Sequence, residues 1–207
     1  MTSSPPSAPT QPSRHLDLGC GTQPRNPYGR AELHGVDIRA HHIPGQMEVR
    51  QANLAMQPIP YPDAHFASVS AYDFLEHVPR VLPVSGQAAT RFPFVELMNE
   101  IWRVLQDGGV FYACTPAYPH PAAFRDPTHV NIITRDTHDY FTRPAFTARM
   151  YGFIGDFSVL RVLPAKGGEF DYEPLAPPNL MRRYRLRRRE RRGENSHLVW
   201  EFRANKS

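Results

Sequence analysis

The chain has 207 residues, enough for one domain that buries a core without disulfide staples and too few for a multi-domain assembly. Apolar residues make up 41% and charged residues 21%, as in a soluble globular chain, but 22 residues are proline, about twice the usual share, so much of the chain is expected in loops. The formal charge of +4 is concentrated in one place: residues 179–192 carry eight Arg and one Glu, which leaves a mildly acidic body with a basic arm rather than a face built to coat nucleic acid.

The opening MTSSPPSAPTQPSR lacks a basic and an apolar region in signal-peptide order, and residues 1–13 read as a disordered Pro/Ser-rich tail ahead of a single domain over 14–207. Short apolar runs bounded by turn residues follow. His15–Leu18, Leu33–Ile38, Met47–Ala52, Phe66–Ser70 and Val110–Cys114 are predicted strands. Val95, Met98, Ile101, Trp102 and Leu105 recur at helical spacing, and Gly108-Gly109 is the stop signal. Strands alternating with such connections predict a parallel sheet in an α/β fold. Phe157–Leu163 and His197–Arg203 alternate like half-buried strands and are expected to close the sheet as an antiparallel pair. Between them lies a basic insertion at about 168–195, whose run Arg182–Arg192 is too cationic all round to be a buried helix. Cys20 and Cys114 supply neither a disulfide framework nor a four-ligand zinc site and point to a reducing, cytoplasmic compartment. No apolar run reaches the roughly 18 residues of a membrane span.

The segment Leu16-Asp17-Leu18-Gly19-Cys20-Gly21-Thr22 sets a glycine-rich turn directly after a strand, where a ligand can approach the backbone at the carboxyl end of a sheet. A dinucleotide fingerprint needs a third glycine opening a long helix, whereas this turn continues Thr22-Gln23-Pro24; a phosphate-cradling loop needs a Gly-Lys-Ser/Thr ending that is absent. A third nucleotide reading needs a tight turn and a later acid, and Asp37 ends the second apolar run, placed to accept both hydroxyls of a ribose.

From Leu16 to Cys114 the sequence resembles the class I S-adenosylmethionine-dependent methyltransferases, small bacterial methyltransferase domains in particular. That resemblance implies a Rossmann-like fold and S-adenosylmethionine as cofactor. It implies that Gly19 and Gly21 lie against the methionine part, that Asp17 helps hold its amino group, that Asp37 binds the ribose, and that Asn53 and Leu54 flank the adenine. Asp73-Phe74-Leu75-Glu76-His77 resembles the segment beside the transferable methyl group, with Asp73 on the cofactor side, and Glu100–Leu105 with Gly108-Gly109-Val110 resembles the helix, turn and fifth strand. Ala67 and Asn53 stand where the family usually has acids. Pro24, Pro27 and Gly29 limit the usual first helix to a turn or two at most.

Methyl transfer from a sulfonium is an in-line displacement, so the enzyme aligns the acceptor and, for a hydroxyl, removes its proton. The run Asp126-Pro127-Thr128-His129 supplies a general base in His129 with Asp126 as its orienter, and His77 stands ready at the first group. Asp126-Pro127-Thr128 also reads as a plain turn and cap. No metal is expected, because His120, Asp126, His129 and His138 match no familiar ligand spacing. Cys20 reads as a small packing residue, and Trp102 and Met98 as core. The acceptor implied is a small or sugar-containing molecule. Two other readings stay open: an RNA- or DNA-associated methyltransferase docking through Arg182–Arg192, and a cofactor-binding partner protein without turnover.

Overall fold

The computed structural model describes residues 13–39, 48–167 and 180–206. Residues 1–12 of the expected tail, Met47 of the expected third strand and residues 168–179 of the basic insertion lie outside these.

Strands β1 (Arg14–Leu18), β2 (Glu32–Asp37), β3 (Glu48–Gln51) and β4 (Phe66–Tyr72) come first. A small hairpin of β5 (Leu82–Pro83) and β6 (Thr90–Arg91) leads into helix α1 (Pro93–Val104) and strand β7 (Leu105–Pro116). After a short helix α2 (Ala122–Arg125) come β8 (Phe157–Ala165), helix α3 (Leu180–Arg191) and β9 (His197–Ala204). The described strands form a seven-stranded sheet in the order β3-β2-β1-β4-β7-β9-β8. The first five are parallel, while β9 runs antiparallel to both β7 and β8. This is the expected α/β, Rossmann-like architecture with its antiparallel C-terminal pair.

Both faces of the central strands are covered, so β1 is buried at Leu16 and Leu18 and also at His15 and Asp17. On one face α1 buries Phe94, Leu97, Met98, Ile101 and Val104 against Phe66, Val69, Phe111, Trp200 and Phe202. Trp102 is partly buried at the edge of this core, with its indole N–H donating to the Asn205 carbonyl at 3.0 Å. The opposite face packs Tyr72, Tyr112, Cys114, Ala165 and Val199 against Tyr28. Tyr28 belongs to the connection over residues 19–31, which forms turns and no helix, as its prolines require. Its hydroxyl donates to Glu201 Oε1 at 2.7 Å, so a polar tether does part of the work of the missing helix.

The helix ends one residue earlier than its apolar pattern suggests. Leu105 is extended, with φ −70° and ψ 144°, and pairs with Phe66 as the first residue of β7. It stays buried in either conformation, and pairing to β4 outweighs its helix propensity. Gly108-Gly109 therefore falls within the strand, between its pairings at Leu105 and Val110, and Gly108 takes φ +69°.

Candidate active site

The turn after β1 is held from beneath by a buried polar network. Asp17, 3% exposed, lies beside Ser70 in the β1–β4 register. Its Oδ1 accepts the Ser70 hydroxyl at 2.6 Å, and its Oδ2 accepts the Arg25 backbone N–H at 2.9 Å. The Ser70 O–H points at Asp17, so the Ser70 oxygen accepts from His15 Nε2 at 2.8 Å, and the Ser68 hydroxyl meets His15 Nδ1 at 2.8 Å. Burial pushes the Asp17 carboxyl up to about 7 and the His15 imidazole down to about 3.

Above this network the backbone turns sharply. Gly19 takes φ +63°, and a Cβ there would lie 2.6 Å from the Phe74 ring, so this glycine is what lets the turns after β1 and β4 touch. Gly21 takes φ +53°, and a Cβ there would meet nothing within 4 Å. Its N–H donates to Asp37 Oδ2 at 2.9 Å, while Asp37 Oδ1 accepts the Arg39 N–H at 2.9 Å. Cys20 packs its sulfur where a Cβ on Gly35 would stand, and burial pushes its thiol up to about 12, so it is a packing residue. Beyond β3, Asn53 closes a turn: its Oδ1 accepts the Ala55 N–H at 3.1 Å and its own N–H donates to Gln57 Oε1 at 2.9 Å. Leu54 beside it is buried.

The turn after β4 carries the second group. Asp73 sits at φ +46°, a left-handed conformation in a non-glycine residue that often marks a working site. Its Oδ1 pairs with His197 Nε2 at 2.9 Å, and His197 Nδ1 meets Ser196 Oγ at 2.8 Å. Sequence spacing had given His197 no role beyond its strand. Leu75–His77 then form a 3-10 turn whose Glu76 points inward, 1% exposed. Burial pushes the Glu76 carboxyl up to about 7. Its Oε2 accepts the Thr115 hydroxyl at 2.8 Å, and its Oε1 has no hydrogen-bond partner among the described residues.

The loop bearing His129 is sewn to this turn, since the N–H groups of Val130 and Asn131 both donate to the Glu76 carbonyl at 2.9 Å. The His129 ring stands edge-on to His77 with centroids 4.9 Å apart, and its Nε2 is 3.9 Å from Glu76 Oε1. Asp126 is not the orienter of His129. Its Oδ1 takes the Thr128 N–H at 2.8 Å and the Thr128 hydroxyl at 2.7 Å, and Thr128 Oγ1 in turn meets His77 Nδ1 at 3.0 Å. The turn chemistry of Asp-Pro-Thr directs the carboxylate back onto Thr128, two residues on. His129 Nδ1 instead faces the Ala123 carbonyl at 3.3 Å. His120 and His138 stand apart: His120 Nδ1 accepts the Ala122 N–H, and His138 lies by Arg135 O, Asp139 and Phe202.

A glycine turn over a buried acid at the end of β1, an acid ending β2 and a polar turn after β4 thus lie at the carboxyl ends of the parallel strands, where open α/β sheets bind ligands. Residues 16–113 match the family described as a methyltransferase domain. Among solved structures, an S-adenosylmethionine-dependent methyltransferase from Archaeoglobus fulgidus is 18% identical with a TM-score of 0.55, covering 95% of this chain and 87% of its own. The putative methyltransferase solved with the Trm112 activator of Haloferax volcanii is 16% identical at 0.56, covering 94% and 83%. A geranyl diphosphate C-methyltransferase from Streptomyces coelicolor is 13% identical at 0.51, covering 94% and 71%. At such identities these structures establish the shared fold. A comparison with curated protein sequences finds no match. Over residues 16–113 the chain is similar to a methyltransferase domain, and its fold is shared with S-adenosylmethionine-dependent methyltransferases. No helix among the described residues is long and apolar enough to cross a membrane.

Proposed function

We propose that this methyltransferase acts on a small or sugar-containing acceptor seated beside the Leu75–His77 turn. The supporting observation is a cleft of about 500 Å³ lined by Arg80, Phe92, Phe94, Asp136, Tyr140 and Tyr151, among others. That is the size and mixed apolar-polar lining of a small-molecule site. Arg80 ties the cleft wall to the turn: its Nε donates to Asn131 Oδ1 at 2.6 Å, and Asn131 Nδ2 donates to the Leu75 carbonyl at 3.0 Å.

The residues fit the cofactor. Asp37 ends β2 with its carboxylate against the glycine turn, its Oδ2 accepting the Gly21 N–H, which is where an acid that binds a ribose would stand. Gly21 leaves open space for a ligand against the main chain. Asp17 fixes this turn from below, Gly19 and Gly21 lie against the methionine part, Asn53 and Leu54 flank the adenine, and Asp73 stands toward the methyl. S-adenosylmethionine, when bound, supplies the methyl group as a sulfonium. The chain's own part is alignment of the acceptor, exclusion of water and reception of the acceptor's proton, the last assigned to the group around His77 and His129, with Asp126 holding His77 through Thr128.

Calorimetric titration with S-adenosylmethionine and S-adenosylhomocysteine tests the assignment. Asp37→Ala is expected to weaken both by about 100-fold or more, worth about 2.7 kcal/mol. His129→Ala is expected to keep cofactor affinity and lower methyl incorporation from labelled donor into extract fractions. Unchanged affinity in the Asp37 variant overturns the cofactor site.

A second reading rests on α3, whose Leu180, Met181, Tyr184, Arg185 and Arg188 are exposed. An exposed cationic helix suits an anionic partner such as a nucleic acid. Binding of an RNA or DNA oligomer would then weaken steeply with salt and vanish when the arginines of 182–192 are neutralised, and salt-independent binding would remove this reading.

A further inference from the structure

The geometry points to a divalent-cation site formed by Glu76, His77 and His129 beside the methyl-transfer site, with an oxygen of the acceptor as the open ligand. It rests on the methyltransferase reading for its role but not for its existence. One ligating atom from each of the three residues lies within 4.8 Å of the other two. What makes this a site rather than a chance cluster is the way the surrounding bonds are spent. Thr115 engages Glu76 Oε2 and leaves Oε1, on a side chain 1% exposed, with no hydrogen-bond partner among the described residues. His129 Nδ1 faces the Ala123 carbonyl, which accepts and cannot donate, so that nitrogen carries the proton and Nε2 is a bare lone pair. The Thr128 hydroxyl donates to Asp126 Oδ1, so its oxygen is left to accept from His77 Nδ1, and His77 Nε2 is likewise bare.

With Glu76 ionised and both imidazoles neutral, three acceptors thus converge with no hydrogen among them. A carboxylate oxygen and two imidazole nitrogens, each imidazole fixed through its other nitrogen by a carbonyl or by a hydroxyl backed by a carboxylate, is the outer arrangement that metal-binding histidines use. His129 Nε2 and Glu76 Oε1, 3.9 Å apart, would close by about 0.5 Å to reach the roughly 3.4 Å between two atoms each bonded at about 2.1 Å to a tetrahedral ion. Two imidazoles with one carboxylate favour a first-row ion such as Zn²⁺ or Mn²⁺ over Mg²⁺, and three protein ligands leave a position open. With the ion bound, His77 and His129 would serve as its ligands instead of receiving the proton themselves, and a hydroxyl acceptor bound there would lose its proton to solvent as its oxygen took that position. The oxygen lone pair would then form the new O–CH₃ bond while the C–S bond of the sulfonium broke, releasing neutral S-adenosylhomocysteine and leaving the ion unchanged in oxidation state.

The test is direct ion binding to the full chain, stripped with chelator. Calorimetry with Zn²⁺ and the visible absorption of added Co²⁺ should both give one ion per chain. Affinity should fall at least about 10-fold in Glu76→Gln and in His129→Ala, and by about 10-fold in Thr128→Val, which touches no ion and acts through His77. Thermal melts and S-adenosylhomocysteine titrations of the same variants should match wild type, which separates a lost ion from a lost fold. Absence of ion binding by wild type, or equal binding in wild type and all three variants, overturns the site. Failure of S-adenosylhomocysteine to bind wild type would instead overturn the methyltransferase reading, whatever the ions do.

Discussion

Two turns meet at the carboxyl ends of β1 and β4, and each hangs on a buried carboxylate. Asp17 and Glu76 are equally hidden, and burial pushes both carboxyl groups to about 7. Their partners differ. Both oxygens of Asp17 accept a hydrogen, from Ser70 and from Arg25, and the residue serves as an internal strut for a turn whose backbone faces the ligand. Glu76 has one oxygen engaged and one facing two imidazoles. A perturbed carboxyl does not by itself mark a reactive group; the unspent acceptor does, because an orphaned buried oxygen costs stability unless a ligand shares it.

The comparison breaks if the two acids respond alike to substitution. Asp17→Ala strands the Ser70 hydroxyl and the Arg25 N–H, and should cost about 3–4 kcal/mol in urea denaturation, with cofactor affinity lost as the turn loosens. Glu76→Gln keeps an acceptor for Thr115 and places an amide N–H toward the bare imidazole nitrogens. It should cost less than about 1 kcal/mol without added ion. Comparable losses in both would make Glu76 a second strut.

A smaller effect sharpens the description of the first turn. Gly19 and Gly21 both need positive φ, but Gly19 is roofed by Phe74 and Gly21 is open. Gly19→Ala should cost about 2–3 kcal/mol from the conformation plus displacement of the ring. Gly21→Ala should cost about 1 kcal/mol and show its larger effect in S-adenosylhomocysteine affinity, because the new methyl projects where the ligand would lie. Equal affinities for Gly21→Ala and wild type would move the cofactor off that turn.

These two glycines also show how far the sequence could be read. The turn after β1, Asp37 at the end of β2 and the apolar strands are local patterns, so they are legible from neighbouring residues, and the sheet follows from their order. The group after β4 is different. His129 comes within 3.9 Å of Glu76 across 53 positions, and His197 reaches Asp73 across 124, through the antiparallel return of β9 beside β7. No spacing rule contains such pairs. Proximity in sequence even misled: Asp126 lies three residues from His129 yet bonds Thr128, because an Asp-Pro-Thr turn satisfies its own carboxylate first. Leu105 misled in the same way, being a helix-pattern residue claimed by strand pairing with Phe66.

A pH series tests whether the strut beneath β1 titrates as a unit. His15 is held at about 3 in the folded chain against 6.5 unfolded, so between those values the unfolded chain binds more protons and stability rises with pH. Asp17 is held at about 7 against 3.8, so the folded chain binds more protons across that window and stability falls as pH rises. Between about pH 4 and 6.5 the two slopes oppose, and wild type should be nearly flat with respect to this pair. Asp17→Asn removes one slope and exposes the other, so stability of that variant should rise by about 1 kcal/mol per pH unit relative to wild type. Urea denaturation at half-unit steps reads the difference. Parallel curves for variant and wild type would mean that Asp17 is ionised in the fold like any surface acid. Its two hydrogen bonds, rather than its burial, would then set its charge.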